Sequence, residues 1–347
     1  MSGGGRHLVG PASRRRVVGR PTALVVPDSF KGTFTAAEVA DLIEHGLDRS
    51  GCDAIKAPLG DGGEGTADAL RSALGGEFED FSVTGLLPAQ RVLGRVLFLP
   101  DRNCAVIDTA SASGLNCVTD PERDAWAATS RGTGELIMAA VRRGADEVLL
   151  GVGGSGCTDG GQGAIDAIVE GGGLRGTRLT VLCDVRTPFE DAPKVFGPQK
   201  GADSSTVKAL EARLDALAVS LPRDPRGQEL SGAAGGLAGG LWARFDAVLT
   251  SGIEGVIRLL GLTELLSGVD FVVTGEGCLD RQTEQGKVIA GVLAITAAAD
   301  LGVHAVVGST VLTTPEATRL GLASVQVAST GAEIVAAAQR IPCLAHG

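Results

Sequence analysis

The chain has no tyrosine, and only two tryptophans and nine phenylalanines among 347 residues. Single-stranded nucleic acids are held largely by stacking on aromatic side chains, so this composition argues against that class of partner. Positive charge is also in deficit. With 31 Lys and Arg against 41 Asp and Glu, the net charge is −10, which argues against DNA or an acidic membrane surface as a partner. No apolar run approaches the roughly 20 residues that cross a bilayer as a helix. The seven cysteines are odd in number and form no CxxC pair. Neither a disulfide framework nor a structural zinc site is expected, and small buried thiols in a reducing cytoplasm fit better. The four histidines show no metal-ligand spacing, and no GxxxxGK[ST] phosphate loop is present.

What the chain has in excess is glycine, with 52 residues, about twice ordinary usage. The glycines cluster in short blocks between periodic segments, as functional loops do. The length exceeds one ordinary hydrophobic core, so two domains are expected. The first twenty residues, rich in Gly, Ser and Arg, read as a disordered basic tail. The "SRRRVV" within them is followed by too short an apolar stretch for an export signal, which needs about 7–15 residues.

Strand and helix patterns alternate along most of the chain. "TALVV" (22–26) reads as a strand, and "TAAE" (35–38) has the spacing of a capping box before a helix marked by Val39, Ile43 and Leu47. "DAIKAP" (53–58) is a second strand. Three strand patterns without helices between them, "FEDFSVT", "RVLGRVLFL" and "CAVIDTA", predict an antiparallel section. Alternation resumes with "EVLLGV" (147–152), "RLTVLCDV" (178–185), "FVVTGEG" (271–277) and "HAVVGS" (304–309). Continuous apolar strands alternating with helices predict an α/β protein with parallel sheet covered on both faces. The expected division is a Rossmann-like domain from residues 21–82 and 285–347, with a second, mixed-sheet domain inserted at 83–284.

Four loops at predicted strand ends share glycine, an acid and a small hydroxyl: "PDSFKG" (27–32), "GDGGEGT" (60–66), "GGSGCTDGG" (153–161) and "TGEGCLDRQT" (274–283). Ligands of open α/β sheets bind at carboxyl ends of strands. Glycine lets backbone N–H groups approach an anion, aspartates beside it can hold Mg²⁺, and lysine brings point charge to a phosphate. Together these are the groups that phosphoryl transfer uses. Any one loop can equally be a turn, and Asp61 and Asp159 can equally cap helices or close turns. "GVGGSG" (151–156) matches GxGxxG by letters, without the acidic residue that a dinucleotide site places about 20 residues on.

The loops and their order resemble the bacterial glycerate kinase family. The resemblance rests on "PDSFKGTFTAAEVA", "DGGEGTADAL", "TASASGL", "TSRGTGELI", "GVGGSGCTDGGQG", "VFGPQKGA", "GAAGGL" and "VVTGEGCLDRQTEQGK", spanning residues 22 to about 292. It implies a two-domain α/β enzyme with its active site in the interdomain cleft, using ATP and Mg²⁺ to phosphorylate D-glycerate, usually on the 2-hydroxyl. The same resemblance implies roles for individual residues. Lys31, Asp184 and Asp280 are the catalytic candidates, Lys31 toward a phosphate or carboxylate and Asp184 as a base near the hydroxyl. Asp184, Glu276 and Asp280 are the candidates for metal. Asp28, Ser29, Asp61, Gly62, Gly63, Gly154, Ser155, Asp159, Lys200, Gly275, Glu276 and Lys287 are the binding candidates. Six of the acids, with Lys31, Lys200 and Lys287 nearby, are expected around one cleft.

The chain departs from the family pattern at three places: Thr187, Glu190 and Asp191 after "CDV"; Thr158, where the family has Asn; and Gly60, where it has Ala. These departures keep open a kinase of a related small hydroxy acid, or a weakened ligand-binding member. Homo-oligomerisation is also left open.

Overall fold

A computed structural model describes residues 19–30, 32–280 and 288–343. Lys31, Lys287 and residues 1–18 of the expected tail lie outside the described residues. Arg20, assigned to that tail, is instead anchored. Its guanidinium donates to the Asp48 carbonyl at 2.7 Å and carboxylate at 2.9 Å, and to the Cys52 carbonyl at 3.1 Å.

The described residues hold eleven strands: β1 (Thr22–Pro27), β2 (Asp53–Lys56), β3 (Glu77–Thr84), β4 (Arg91–Leu99), β5 (Cys104–Asp108), β6 (Glu147–Gly151), β7 (Arg178–Cys183), β8 (Val248–Ser251), β9 (Phe271–Leu279), β10 (Val303–Thr310) and β11 (Leu322–Val327). They form two sheets in two compact units. One unit holds residues up to 61, 68–75 and those from 253 onward; the other holds 62–67 and 76–252. The boundary expected near 285 is therefore corrected to 252/253. The reason is strand pairing: β9 runs parallel to β1, with Val25 opposite Val273, and so belongs to the first sheet.

In the first unit the order is β11-β10-β9-β1-β2, all parallel. Chain order runs outward in opposite directions from the β1/β9 junction, which is the topological switch point where such sheets bind ligands. Ala23 through Val26 are all buried, as a strand covered on both faces requires. The helix Ala36–Arg49 starts on the expected capping box, with Glu38 N–H donating to Thr35 Oγ1 at 3.2 Å and Thr35 N–H to Glu38 Oε2 at 2.8 Å. Its Val39, Ile43 and Leu47 face the sheet core with Val25, Val273 and Val306. The helix Gly331–Gln339 lies so close that a Cβ on Gly46 would stand 2.4 Å from the Val335 carbonyl oxygen.

That packing brings the C-terminal segment beside β2. Cys52 and Cys343, 291 residues apart in sequence with Cα atoms 6.2 Å apart, form a disulfide. This corrects the expectation that every cysteine is a separate thiol. Of the others, Cys104, Cys157 and Cys183 are buried as expected, and burial pushes the thiols of Cys104 and Cys157 up to about 12. Cys278 is exposed.

In the second unit the order is β3-β4-β5-β6-β7-β8. β3, β4 and β5 pair antiparallel, as their uninterrupted succession predicts, and β5 through β8 are parallel. The helices Arg131–Arg142, Gln162–Glu170 and Leu237–Phe245 contribute Leu136, Ile137, Ile168 and Leu241 to a core with Ile107, Val148, Leu150 and Val181. β8 was not evident in the sequence. It is a four-residue edge strand with one exposed valine and too few alternations to register as a pattern. No helix of the described residues is long and apolar enough to cross a membrane.

Candidate active site

In the first unit the acids gather at the carboxyl ends of β1, β2 and β9. Asp28 follows β1, and its N–H donates to the Gly275 carbonyl at 2.8 Å. Its Oδ1 accepts from the N–H of the next residue, Ser29, at 2.6 Å. Beyond β2 the chain stays alongside β1, with Ala57 N–H on Val25 O and Leu59 N–H on Pro27 O, both at 2.8 Å. This delivers Asp61 to the same end of the sheet. In β9, Thr274 Oγ1 donates to the Val26 carbonyl at 3.1 Å. Only glycine fits at 275, because a Cβ there would stand 2.4 Å from Val306 O. Glu276, 5% exposed, comes next and Asp280 follows the strand. Asp28 and Glu276 thus flank the switch point.

In the second unit the loop at 62–67 meets the carboxyl ends of β5, β6 and β7. Gly153 N–H donates to Gly62 O at 3.0 Å. A Cβ on Gly153 would come within 2.6 Å of Gly63 Cα and 3.1 Å of Asp184 Oδ2. Gly62, Gly63, Gly153 and Asp184 are therefore brought together, and Asp184 is exposed at the end of β7. Ser155 lies on the same loop as Gly153 and Gly154. Lys200, buried, reaches it from the turn Pro198–Lys200, its Nζ donating to Ser155 Oγ at 3.2 Å and the Cys157 carbonyl at 2.5 Å. Burial lowers the Lys200 pKa, while Cys157, Asp159 and Asp184 oppose that shift.

Several glycine-loop N–H groups expected to meet an anion are already engaged by protein. Gly62 N–H donates to Thr66 Oγ1, Gly153 N–H to Gly62 O and Gly156 N–H to Ser113 O. Gly65 and Ala67 donate to the carboxylate of Asp108, at 3.1 and 3.3 Å. Asp108 was missed in the sequence. It ends the apolar strand "CAVID" as Asp184 ends "RLTVLCD", and an acid closing a buried strand is the signal that would have found it.

Asp159, read from the sequence as a binding candidate that could equally cap a helix, is held in the interior. It is 1% exposed. Oδ2 accepts from Ser130 N–H and Oγ at 2.8 and 2.9 Å, Gly163 N–H at 3.2 Å and Thr129 Oγ1 at 3.4 Å, while Oδ1 accepts from Gly161 N–H at 3.0 Å. These bonds satisfy N–H groups at the starts of two helices. Of the departures after "CDV", Thr187 and Glu190 are half-buried and Asp191 is exposed. Phe189 is fully buried with its N–H on Ser231 Oγ, and Glu190 accepts from Gly227 N–H. Thr158 is fully buried, and its hydroxyl has no hydrogen-bond partner among the described residues.

Among the described residues no group of three or more His, Cys, Asp or Glu could hold a metal ion by itself. A Mg²⁺ commonly takes only one or two carboxylates and completes its shell with phosphate oxygens and water. The all-oxygen donors Asp28 and Glu276 fit that chemistry. A shallow cavity of about 600 Å³ lined by Trp126, Arg123 and Pro88 includes none of the expected site residues.

The sequence model of the glycerate kinase family matches residues 23–170 and 172–341. A glycerate kinase of Bacillus subtilis strain 168 is 36% identical over 325 residues, covering 82% of this chain and 84% of that protein. A glycerate 2-kinase of Escherichia coli K12 is 36% identical over 306 residues, covering 78% and 80%. A crystal structure of a Salmonella typhimurium LT2 protein, provisionally described as glycerate kinase 2, superposes with a TM-score of 0.80 at 33% identity, covering 92% of this chain and 95% of that one. By its loops, its fold and its matched length, this chain belongs to the glycerate kinase family.

Proposed function

We propose that the chain transfers the γ-phosphoryl group of ATP to the 2-hydroxyl of D-glycerate, giving 2-phosphoglycerate and ADP. Kinase chemistry and ATP follow from the family. Support for the 2-position comes from the name of the E. coli relative. The observation that carries the reading is Asp184, an exposed carboxylate at a strand end beside Gly63 and Gly153. The close packing of Gly153 against Gly63 sets the loop beside this carboxylate, which stays accessible from solvent.

In this reading Asp184 accepts the proton of the attacking hydroxyl, and the new P–O bond forms as the bond to ADP breaks. Ser155 orients an anionic oxygen. In the first unit, Asp28 and Glu276 hold the metal-bound nucleotide. Lys31, Asp61, Asp280 and Lys287 are assigned to the same reaction as phosphate or metal contacts. Bound Mg²⁺ supplies charge neutralisation on the phosphate oxygens. A substrate other than glycerate loses one argument, since Glu190 is bonded to Gly227 N–H rather than added to the site.

A coupled ADP-release assay over a panel of small hydroxy acids tests the reaction. Phosphorus NMR of the product then separates 2- from 3-phosphoglycerate. Turnover with another hydroxy acid and none with D-glycerate would refute the assignment.

A further inference from the structure

Lys200 is 3% exposed and, among the described residues, makes no ion pair. Taking an ammonium out of water without a contacting counter-charge is unfavourable, so a purely structural side chain at this position would be better apolar. Among the described residues its ammonium bonds to one loop, through Ser155 Oγ and the Cys157 carbonyl.

The hydrogen-bond directions carry the argument further. An ammonium only donates, whereas a hydroxyl both accepts and donates. Ser155 Oγ therefore accepts from Lys200, and its own hydrogen must point to another acceptor. Among the described residues none takes it. The amides of Gly153 and Gly156 are engaged by protein, at 3.0 and 2.8 Å. The Ser155 hydroxyl is thus a directed donor of this loop, with fixed positive charge behind it. Ser155 is itself 8% exposed, so the acceptor must come up against the loop.

We propose that Lys200 is a positioning residue, which fixes the Ser155 hydroxyl and its field so that the loop holds an oxyanion, a phosphate or carboxylate oxygen of the reactants. The proposal rests on the phosphotransferase reading and adds to it which side chain sets the donor. Lys200 acts through Ser155 and does not touch the reacting atoms.

The test uses Lys200→Met, Ser155→Ala and the double variant. Two measurements are made: melting with inorganic phosphate or with D-glycerate, and kcat and KM by ADP release. The parent should melt higher with one of the two anions; which one identifies the group held. Both single variants should lose that rise. Lys200→Met should melt at or above the parent, because a buried charge becomes an apolar chain of similar length. Each single variant should lose about 10²-fold in kcat/KM, the scale of one oriented donor. The double should be no worse than the weaker single.

Multiplicative losses in the double variant would overturn the coupling. So would full turnover in Ser155→Ala, a melting point for Lys200→Met well below the parent, or a parent indifferent to both anions. A parent inert toward D-glycerate but stabilised by phosphate through both residues would refute the proposed reaction and leave this inference standing.

Discussion

Replacing Asp159 with Asn separates scaffold from ligand contact at the position where the two readings diverge most. The carboxylate accepts from five groups, four on Oδ2 and one on Oδ1. Asparagine offers one acceptor oxygen and an NH₂ that only donates. If its oxygen takes the Oδ2 position, the Gly161 N–H faces the NH₂. If it takes the other, the two Ser130 donors do.

In the better orientation one buried donor is orphaned, at a cost of about 1–3 kcal/mol, and the two short Ser130 bonds lose their charge assistance, about 0.5–1 kcal/mol each. The total is about 3 kcal/mol. For a domain of about 150–250 residues, each kcal/mol moves Tm by about 2–4 °C, so a fall of about 6–12 °C is expected. The assay is differential scanning calorimetry paired with kcat and KM measured well below the transition. There, the folded variant should keep kcat within a few-fold. A Tm within about 2 °C of the parent, together with a loss of more than tenfold in kcat/KM, would refute the scaffold argument and return Asp159 to the reacting groups.

Three further outcomes follow from the same contacts. Thr158→Val removes a fully buried hydroxyl without a hydrogen-bond partner among the described residues and should raise stability by about 1 kcal/mol in urea denaturation; a loss would mean the hydroxyl has a partner. Burial of His304 against Phe271 lowers its pKa below the ordinary value of about 6.5. The unfolded chain therefore takes up the proton first, and this contribution to stability is present above about pH 6.5 and is lost as pH falls toward the folded value. His304→Gln should flatten the stability difference between pH 7.5 and 5.5, and an unchanged slope would assign it to other groups. Asp108→Asn should cost about 1–3 kcal/mol and speed hydrogen exchange at residues 62–67, with protection at parent levels counting against its role in holding that loop.

Much of the fold was legible because local rules and tertiary structure agree. Thr35 and Glu38 have capping-box spacing and form one. The three uninterrupted strand patterns near residue 77 pair antiparallel. The domain boundary was misplaced because "FVVTGEG" is a buried strand whose sequence says nothing of its partner. Only its pairing with β1 assigns it to the first sheet. The Cys52–Cys343 bond escaped for a similar reason. It depends on the helix Gly331–Gln339 packing beside the helix Ala36–Arg49, a contact between distant segments without a local signature.

The acids show where legibility stops. Asp28, Asp108, Asp159, Asp184 and Glu276 all sit in or beside a glycine-bearing turn or strand end, and by residue type they are equivalent. What separates them is which backbone N–H groups the fold leaves unpaired nearby. Around Asp159 the starts of two helices leave several, and its carboxylate is drawn into the interior to meet them. Around Asp108 the 62–67 loop supplies Gly65 and Ala67, so this carboxylate occupies a place where an external anion could have bound. Asp184 follows a strand whose next loop turns inward through Phe189 and Ser231, and it stays exposed beside Gly153. A glycine-rich loop is therefore not in itself evidence of an anion site: protein carboxylates and carbonyls compete for the same amides. In this chain they engage those of Gly153, Gly156, Gly65 and Ala67, which is why the anion contact proposed for the second unit rests on a side chain, the Ser155 hydroxyl held by Lys200.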